Sequence, residues 1–372
     1  MAPKGTDRPT GPFVIAPPRA SEGAPTLLSY LFDFVLPKNL RRDSWRFCHT
    51  FYLGEVALFL IVILLATGAL LLLRYSPTPE GAYASVEAIT RRVPFGALVR
   101  GLHRTASYAL LIVLFLHVLR VFYTAAYKQG RALGWHSGVA LLLLAAGESY
   151  TGYLLPWDQT GFWGTVVGTN IASYVPLVGD WARGLLLGGT ELGAPTLTRF
   201  FAVHVALLPG GLLAILTVHF YSLRKAGLTH PARGGNPGLG AYSSTETLIK
   251  MTALFLATAL VLFVASALLP LPLDPPADPG KPPNPARAPW FVSGLQELVH
   301  YSAFWGGIVA PGIAVLLLVA LPYLDRGPGR LPRERRGVLA AGSLLVLVFL
   351  ALTVIGIFFR GEEWAWRWPW SR

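Results

Sequence analysis

Seven long apolar segments, separated by polar loops, set the hydrophobic pattern of this chain. At about 1.5 Å per residue, each segment is long enough to cross a bilayer as a tilted helix. The pattern therefore predicts an all-α transmembrane fold with seven spans, surrounded by the lipid bilayer. We place the spans near residues 51–75, 98–124, 135–155, 198–223, 247–269, 301–323 and 337–359.

Composition agrees with a membrane protein. Hydrophobic residues make up 53 % of the chain and charged residues 13 %, whereas soluble proteins carry about 25 % charged residues. A net charge of +12 could indicate nucleic-acid binding, but the basic residues lie in loops between spans, where they set topology. We therefore expect no nucleic-acid partner. The single cysteine, Cys48, excludes an internal disulfide and any CxxC motif.

The polar segments predict the topology. Residues 1–25 contain many Pro and Gly residues without a signal-peptide pattern and are predicted as a cytoplasmic tail, followed by a surface segment up to residue 44. More Lys and Arg residues fall on the N-terminal side of the spans, which favours a cytoplasmic N-terminus. The loop after the third span is amphipathic and predicts short surface helices. The loop at 270–290 is proline-rich and is expected to be extended.

The second and fourth spans each carry two histidines, fourteen and fifteen residues apart: His103 with His117, and His204 with His219. Along a helix these spacings are about 21–22 Å, and each pair returns to within roughly 40–60° of one face. Because the second and fourth spans run in the same direction, opposite to that of the first and third, His103 lies level with His204 near the outer surface. His117 then lies level with His219 near the inner one. A single histidine of this kind is more often a hydrogen-bonded core residue, but two matched pairs indicate axial ligands of two cofactors.

Two glycine pairs follow the same spacing. Gly54 and Gly68 lie in the first span, Gly138 and Gly152 lie in the third, and both pairs are fourteen residues apart. Glycine lets the edge of a flat macrocycle approach the helix backbone. Close helix packing is the alternative, but the shared spacing and depth favour haem pockets, the inner one beside Gly54 and Gly138.

Arginines lie close to these histidines. Arg100 and Arg104 flank His103, Arg120 follows His117 by one turn, and Arg224 lies beyond His219. Guanidinium groups match carboxylates, so these residues are candidates to bind haem propionates. The alternative is that they extend to the membrane surface from helix ends.

Five motifs resemble cytochrome b of the respiratory and photosynthetic cytochrome bc complexes: RGLHR, FLHVLRVF, GYLLPWDQTGFWG, TLTRFFAVH and HFYSLRKAG. The fifteen-residue histidine spacing, Arg104 directly after the first histidine, PWDQ and RKAG are similar to the cytochrome b6 branch. The resemblance is strong over about residues 45–230. Over 247–360 it is weaker, and rests on the number of helices and the loop around Trp290.

The resemblance implies a b6-like four-helix di-haem domain at 45–230 and a subunit IV-like three-helix domain at 231–372. It implies two bis-histidine haems b, with iron bound by His103 and His204 and by His117 and His219. The implied function is that of a quinol:cytochrome c oxidoreductase subunit, which oxidises quinol at the outer face and passes electrons through both haems to an inner quinone site. Implied partners are a Rieske-type iron–sulfur protein and a c-type cytochrome, in a homodimeric complex of the cell inner membrane.

The same resemblance suggests where quinone binds. An outer quinol pocket would be formed by Pro156, Trp157 and Asp158 together with the loop that carries Trp290. For the inner site the candidates are Arg224, Lys225 and Lys250, because cations stabilise the anion that develops on a quinone. The positive-inside rule is the alternative explanation for these three cations.

The sequence departs from the family at two places. The glutamate of the family's Pro-Glu-Trp-Tyr motif is replaced by Pro289, since residues 288–291 read Ala-Pro-Trp-Phe. Glu297 is the expected substitute as proton acceptor, with a pKa raised toward the working pH by partial burial; a structural pair with an arginine is the alternative. Tyr52 replaces the cysteine that attaches an extra haem in one branch, so we expect no covalent haem and interpret Cys48 as structural.

Two other functions compete with this one. The chain could be a di-haem b membrane anchor of a dehydrogenase or hydrogenase, which would not co-purify with an iron–sulfur protein and a cytochrome c. It could also be a haem-free transporter with coincidental histidines, which an absorption spectrum would exclude. The PWDQ loop and the three additional spans argue against the anchor.

Overall fold

The computed structural model describes residues 40–232, 239–269 and 272–370. The predicted tail and most of the predicted surface segment lie outside these residues. Within them the chain forms twelve α-helices and no strand longer than an isolated bridge. The helices are α1 (Phe47–Thr50), α2 (Leu53–Leu72), α3 (Pro79–Arg92), α4 (Gly96–Tyr123), α5 (Ala132–Leu154), α6 (Gln159–Ala172), α7 (Gly179–Leu187), α8 (Ala194–Ala226), α9 (Ser244–Leu268), α10 (Ser293–Tyr301), α11 (Trp305–Leu324) and α12 (Arg336–Phe358).

Six of these helices are long and apolar enough to span a membrane, namely α2, α4, α8, α9, α11 and α12. The predicted all-α transmembrane fold is therefore confirmed, and the chain is a multi-pass membrane protein. The predicted third span corresponds to α5, which has 23 residues. It is less apolar than the other six because it contains His136, Ser137 and Glu148.

The first four long helices form one bundle. Helix α2 packs mainly on α4, α5 packs mainly on α8, and α4 also contacts α5. The apolar core between them consists of aliphatic side chains that are less than one-tenth exposed, among them Leu60, Leu110, Leu141 and Leu212. Helix α9 lies against α4 and α2, so the C-terminal helices pack on the outside of this bundle.

A buried polar cluster joins the bundle to the C-terminal helices. The carboxylate of Asp325 follows α11 and accepts hydrogen bonds from Lys128 at 2.7 Å, Arg335 at 2.6 Å and Tyr127 at 2.5 Å. The Lys128 ammonium also donates to the carbonyls of Gly327 and Gly329. Because every charge in this cluster has a partner, its burial is compensated and the two loops are tied together.

The predicted short helices after the third span are confirmed as α6 and α7. Residues 272–289 of the proline-rich loop contain no helix, and a 3-10 turn at Trp290–Val292 leads into α10. Helix α3 was not predicted. It begins after Thr78, whose hydroxyl accepts a hydrogen bond from the backbone N–H of Gly81, and its first residue is Pro79.

Candidate functional site

Two histidine pairs face each other between α4 and α8. The ring centroids of His103 and His204 are 6.3 Å apart, with an angle of 75° between the ring planes. A metal ion midway between two imidazoles, at about 2.0 Å from each nitrogen, places the ring centres roughly 6 Å apart. His117 and His219 lie close enough to interact electrostatically. The structure thus brings the four predicted ligands together in the two pairs that their depths suggest.

A π-turn in α8 accounts for the unequal histidine spacing. Residues Val203–Leu207 form this turn, which includes His204. A π-turn inserts one additional residue into an α-helix, so fifteen residues here cover the rotation that fourteen cover in α4. Pro209, two residues later, cannot donate the N–H of a regular helix. The angle about the helix axis between His204 and His219 is therefore smaller than it would be in a regular α-helix.

Each of the four predicted glycines lies against one histidine ring. A Cβ atom added at Gly68 would lie 3.2 Å from Cε1 of His103, and one at Gly152 would lie 2.6 Å from Cε1 of His204. The corresponding distances at the other end are 3.3 Å from Gly54 to His117 and 3.4 Å from Gly138 to His219. The glycines thus make room for the imidazoles, and they pair with the histidines that the shared spacing predicts. Their contact with a macrocycle stays a prediction.

Hydroxyl groups orient three of the four rings, and each belongs to the residue before one of these glycines. The Nδ1 atoms of His103, His219 and His204 lie 2.9 Å, 3.0 Å and 3.3 Å from the hydroxyls of Thr67, Ser137 and Thr151. Each hydroxyl also donates to a carbonyl four residues earlier on its own helix. Its oxygen is therefore free to accept the Nδ1 proton, which leaves Nε2 with a lone pair for a metal.

The fourth ring has no such partner. Leu53 precedes Gly54, and Nδ1 of His117 is buried without a hydrogen-bond partner among the described residues. The opposite case is His204, whose Nδ1 also lies 2.9 Å from a carboxylate oxygen of Glu148 on α5. Glu148 was not predicted as a site residue. Its position four residues before Gly152, one helical turn away, is the signal that could have indicated it.

The predicted propionate arginines lie near the histidines but have other contacts too. Arg104 donates to the Tyr108 hydroxyl at 3.2 Å and to the Pro272 carbonyl at 3.3 Å. It lines a cleft of about 320 Å³ together with Arg100, on the side facing α9. Arg120 donates to the His49 carbonyl at 3.0 Å. Binding of propionates by these residues stays a prediction.

Of the predicted inner-site cations, Lys250 is surrounded by aromatic rings. Its ammonium lies 4.2 Å from the ring centre of Tyr242, 5.5 Å from that of Trp45 and 6.0 Å from that of Tyr52, and it donates to the Tyr242 hydroxyl at 2.8 Å. Cation–π contacts of this kind hold the Lys250 ammonium group in its position between the rings. The other two candidates, Arg224 and Lys225, lie in the last turn of α8.

The predicted outer pocket residues lie at the same end of the bundle. Trp157 and Asp158 follow Pro156, after the end of α5, and pair with the proline-rich loop, since the Trp157 carbonyl accepts from Ala277 N–H at 3.1 Å. Trp290 packs edge-on against Tyr108 of α4 at 5.8 Å between ring centres. Tyr108 is five residues after His103, so this loop lies close to the outer histidine pair.

Asp158 is a buried carboxylate in this region. It is 7 % exposed, and Oδ1 accepts a hydrogen bond from Gly161 N–H at 2.8 Å, which begins α6. Burial raises the pKa of Asp158, and the charge of Asp274 raises it further, although the Gly161 hydrogen bond, Arg104 and Arg100 act in the opposite direction. This carboxyl group therefore binds a proton more readily than an ordinary aspartate.

Glu297 has the opposite environment. It lies in α10, which is helical as expected, and is fully buried. Arg360 pairs with both carboxylate oxygens, while Trp364 at 2.9 Å and Tyr301 at 3.0 Å donate one hydrogen bond each. Burial works to raise the pKa of Glu297, but these hydrogen bonds outweigh it and hold the pKa below its ordinary value. The structure shows the alternative, a buried pair with an arginine, and the rise of this pKa expected for a proton acceptor is wrong, because the arginine stabilises the charged form.

We expect Glu297→Gln to destabilise the protein rather than to slow its chemistry. Breaking a buried ion pair from one side leaves Arg360 unpaired and costs about 3–5 kcal/mol. Because the folded-state pKa lies below the unfolded value of about 4.3, the pair stabilises at neutral pH and its contribution declines on acidification below that value. Thermal unfolding of the complex, with quinol turnover per intact haem, measures both effects.

Glu363→Gln is the matched control for this variant, since Glu363 is exposed and lies in the same C-terminal segment as Arg360. It should leave the unfolding temperature unchanged. A Glu297→Gln variant with wild-type stability and strongly slowed turnover would instead support Glu297 as the proton acceptor.

Comparison with known proteins identifies the family of this chain. The family described as Cytochrome b/b6/petB matches residues 42–227, and the one described as Cytochrome b(C-terminal)/b6/petD matches residues 276–366. A cytochrome bc complex cytochrome b subunit of Chlorobaculum thiosulfatiphilum is 31 % identical over 341 residues, which cover 89 % of this chain and 78 % of that protein.

Other relatives match the N-terminal part more closely. Cytochrome b6 of Heliobacterium mobile is 41 % identical over 179 residues, covering 48 % of this chain and 84 % of the relative. The menaquinol:cytochrome c reductase cytochrome b subunit of Geobacillus thermodenitrificans is 38 % identical over 200 residues, covering 54 % and 89 %. A solved chain titled Hyperthermophilic respiratory Complex III superposes with a TM-score of 0.77 at 27 % identity and covers 88 % of both chains. The chain belongs to the cytochrome b/b6 family and is the cytochrome b subunit of a bc-type complex.

Proposed function

We propose that this chain is the di-haem subunit of a quinol:cytochrome c oxidoreductase, with quinol oxidised at the outer face and electrons carried across the membrane to an inner quinone site. The family implies haem b, which supplies one-electron transfer when bound. One observation carries the proposal: α4 and α8 present two facing histidine pairs at two depths. The name and activity of the Geobacillus relative and the Complex III likeness support the same reaction.

The ligand assignment rests on the ring orientations. His103 and His204 would bind the iron of the outer haem, and His117 and His219 that of the inner haem. Three rings have an oxygen next to Nδ1 that fixes the tautomer needed for binding through Nε2. Pigment analysis of the purified complex tests the assignment. Two haems b per chain, with two midpoint potentials in a redox titration, are expected, and a single haem per chain would contradict it.

The residues around the outer pair suggest the path of the quinol protons. Trp290 packs beside the outer histidine region, and the adjoining loop contains Asp158, whose buried carboxyl group binds a proton more readily than usual. Glu297 is engaged by Arg360, Trp364 and Tyr301 instead. We therefore assign the role of proton acceptor to Asp158 in place of the glutamate that Pro289 replaces.

Asp158→Asn is expected to slow quinol oxidation by about 10²-fold, the lower end of the contribution of a general base. Asparagine begins a helix as well as aspartate does, so the variant keeps the hydrogen bond to Gly161 while losing the proton acceptor. Steady-state quinol:cytochrome c activity measures the loss. Haem content and both haem spectra should remain those of the wild type, which separates this effect from misfolding.

A Thr160→Val variant is a suitable control, because Thr160 belongs to the same turn and its hydroxyl donates to Asp274 rather than to Asp158. It should keep most of the activity. Wild-type turnover in Asp158→Asn would exclude this aspartate from proton transfer and leave water as the acceptor.

The assembly around the chain follows from the proposed reaction. We propose a Rieske-type iron–sulfur protein and a c-type cytochrome as partners, in a dimeric complex of the cell inner membrane with the N-terminus in the cytoplasm. Residues 45–230 would form the di-haem domain, and residues 231–372 the subunit IV-like domain. The inner quinone site would lie near Lys250, Arg224 and Lys225, and no covalent haem is expected, because Tyr52 replaces the attaching cysteine. Co-purification of the partners with the chain tests the assembly.

A further inference from the structure

We propose that Glu148 tunes the outer haem by accepting the Nδ1 proton of its ligand His204. The inference rests on the proposed ligation of haem by His204. A carboxylate oxygen of Glu148 lies 2.9 Å from Nδ1, closer than the Thr151 hydroxyl at 3.3 Å or the Glu148 carbonyl at 3.1 Å. Glu148 is a positioning residue, since it contacts the ligand and not the reacting quinol.

The other three ligands lack this contact. His103 and His219 have a hydroxyl oxygen at Nδ1, and Nδ1 of His117 has no hydrogen-bond partner among the described residues. At the other end of the bundle, the Glu55 carboxylate next to Gly54 accepts a hydrogen bond from the Trp45 indole at 2.5 Å rather than from a histidine. Within the described part of the chain, the two haem sites therefore differ in the charge behind their ligands.

Burial makes the contact effective. The side chains of His204 and Glu148 are 18 % and 17 % exposed, and surrounding lipid would shield them further. In such low-dielectric surroundings a charge-assisted hydrogen bond is stronger than in water. A carboxylate that accepts the N–H of a metal-bound histidine draws its proton away and makes the ring a stronger electron donor. Such a ligand stabilises oxidised iron more than reduced iron, so the potential of the outer haem falls.

His117 has the reverse arrangement. With no hydrogen-bond acceptor at Nδ1 among the described residues, its ring keeps more N–H character and is a weaker donor, which favours reduced iron at the inner site. The two arrangements act in the same direction, because electrons entering at the outer haem then move to a site of higher potential. The structure thus assigns part of the potential difference between the haems to the contact of Glu148 with His204.

Glu148→Gln tests the inference in the intact complex. Removing the negative charge should favour reduction of the outer haem about tenfold, which is roughly 59 mV for a one-electron couple. The inner haem should keep its potential. Electron paramagnetic resonance of the oxidised complex should show changed g-values for the outer haem alone, because its ligand loses imidazolate character. A charge acting only through space would shift the potential and leave these g-values as they are.

Glu55→Gln is the matched control, since it makes the same substitution at a side chain that contacts Trp45 rather than a histidine. It should leave the outer haem unchanged in potential and g-values. If Glu148→Gln loses the outer haem, the second variant is Glu148→Asp. It lengthens the contact with His204 but keeps the charge. A smaller shift with altered g-values supports the role, and a wild-type potential and spectrum overturns it.

The proposed ligation and this inference fail in different ways. Fewer than two low-spin haems in the wild-type complex would contradict the ligation before any variant is made. Two normal haems, with an outer potential and g-values that do not respond to Glu148→Gln, would overturn the role of Glu148 alone.

Discussion

His117→Ala is expected to remove the inner haem while the outer haem stays bound, halving the haem content of the chain. In the proposed ligation, His117 and His219 bind the iron of the inner haem, and loss of one axial ligand would leave that iron held from one side. The outer pair has its own helix positions and its own hydroxyl partners at Thr67 and Thr151. Pigment extraction and difference spectra of membranes containing the variant measure the loss.

His136→Ala is the control for this experiment. His136 also lies on a long helix, but it contacts the Val319 carbonyl at 3.0 Å and stacks on Tyr323 rather than facing another histidine. It should retain both haems. If His136→Ala loses one haem and His117→Ala keeps both, the assignment of His117 as a haem ligand is contradicted.

The spans and the histidine pairs were predictable because both depend on local spacing. Apolar length alone places α5 and α12 within three residues of their observed ends, at Ala132–Leu154 and Arg336–Phe358. The periodicity of a helix likewise places His103 and His117 on one face. Such signals need no knowledge of what lies across the bundle.

The π-turn at His204 was missed because the prediction assumed a regular helix. The fifteen-residue spacing left His204 and His219 about 60° apart on that assumption. Pro209, close to the C-terminal side of His204, was the available signal, since it interrupts the regular hydrogen-bond ladder. A second π-turn at Trp305–Val309 also precedes a proline, Pro311.

The contacts that decide chemistry could not be predicted from spacing. Glu148 and His204 are 56 residues apart, and Glu297 and Arg360 are 63 residues apart. Each contact depends on how segments far apart in the sequence pack together, and no local sequence pattern indicates it. For Glu297, a buried pair with an arginine was one of two expectations, but spacing alone could not identify Arg360 or decide between that pair and a proton acceptor with a raised pKa.

Gly152→Ala is expected to displace His204 and to weaken or abolish the outer haem while the inner haem is retained. The added Cβ would lie 2.6 Å from Cε1, 3.1 Å from Nδ1 and 3.2 Å from Nε2 of His204. At such distances the ring must move, and crowding of this kind costs about 1–3 kcal/mol in a packed interior. Movement would also lengthen the contacts of Nδ1 with Thr151 and Glu148. Haem content and the outer-haem spectrum report the change.

The other three glycines give a graded series. Gly68→Ala and Gly54→Ala, at 3.2 Å and 3.3 Å from their histidines, should affect the outer and the inner haem mildly, and Gly138→Ala, at 3.4 Å, should be close to the wild type. Substitution by leucine at Gly68 or Gly152 should disturb the outer haem, and at Gly54 or Gly138 the inner one. Gly210→Ala is the control on α8, since nothing lies within 4 Å of its added Cβ. Equal loss of both haems from all four leucine variants would indicate general packing damage instead of separate ligand pockets.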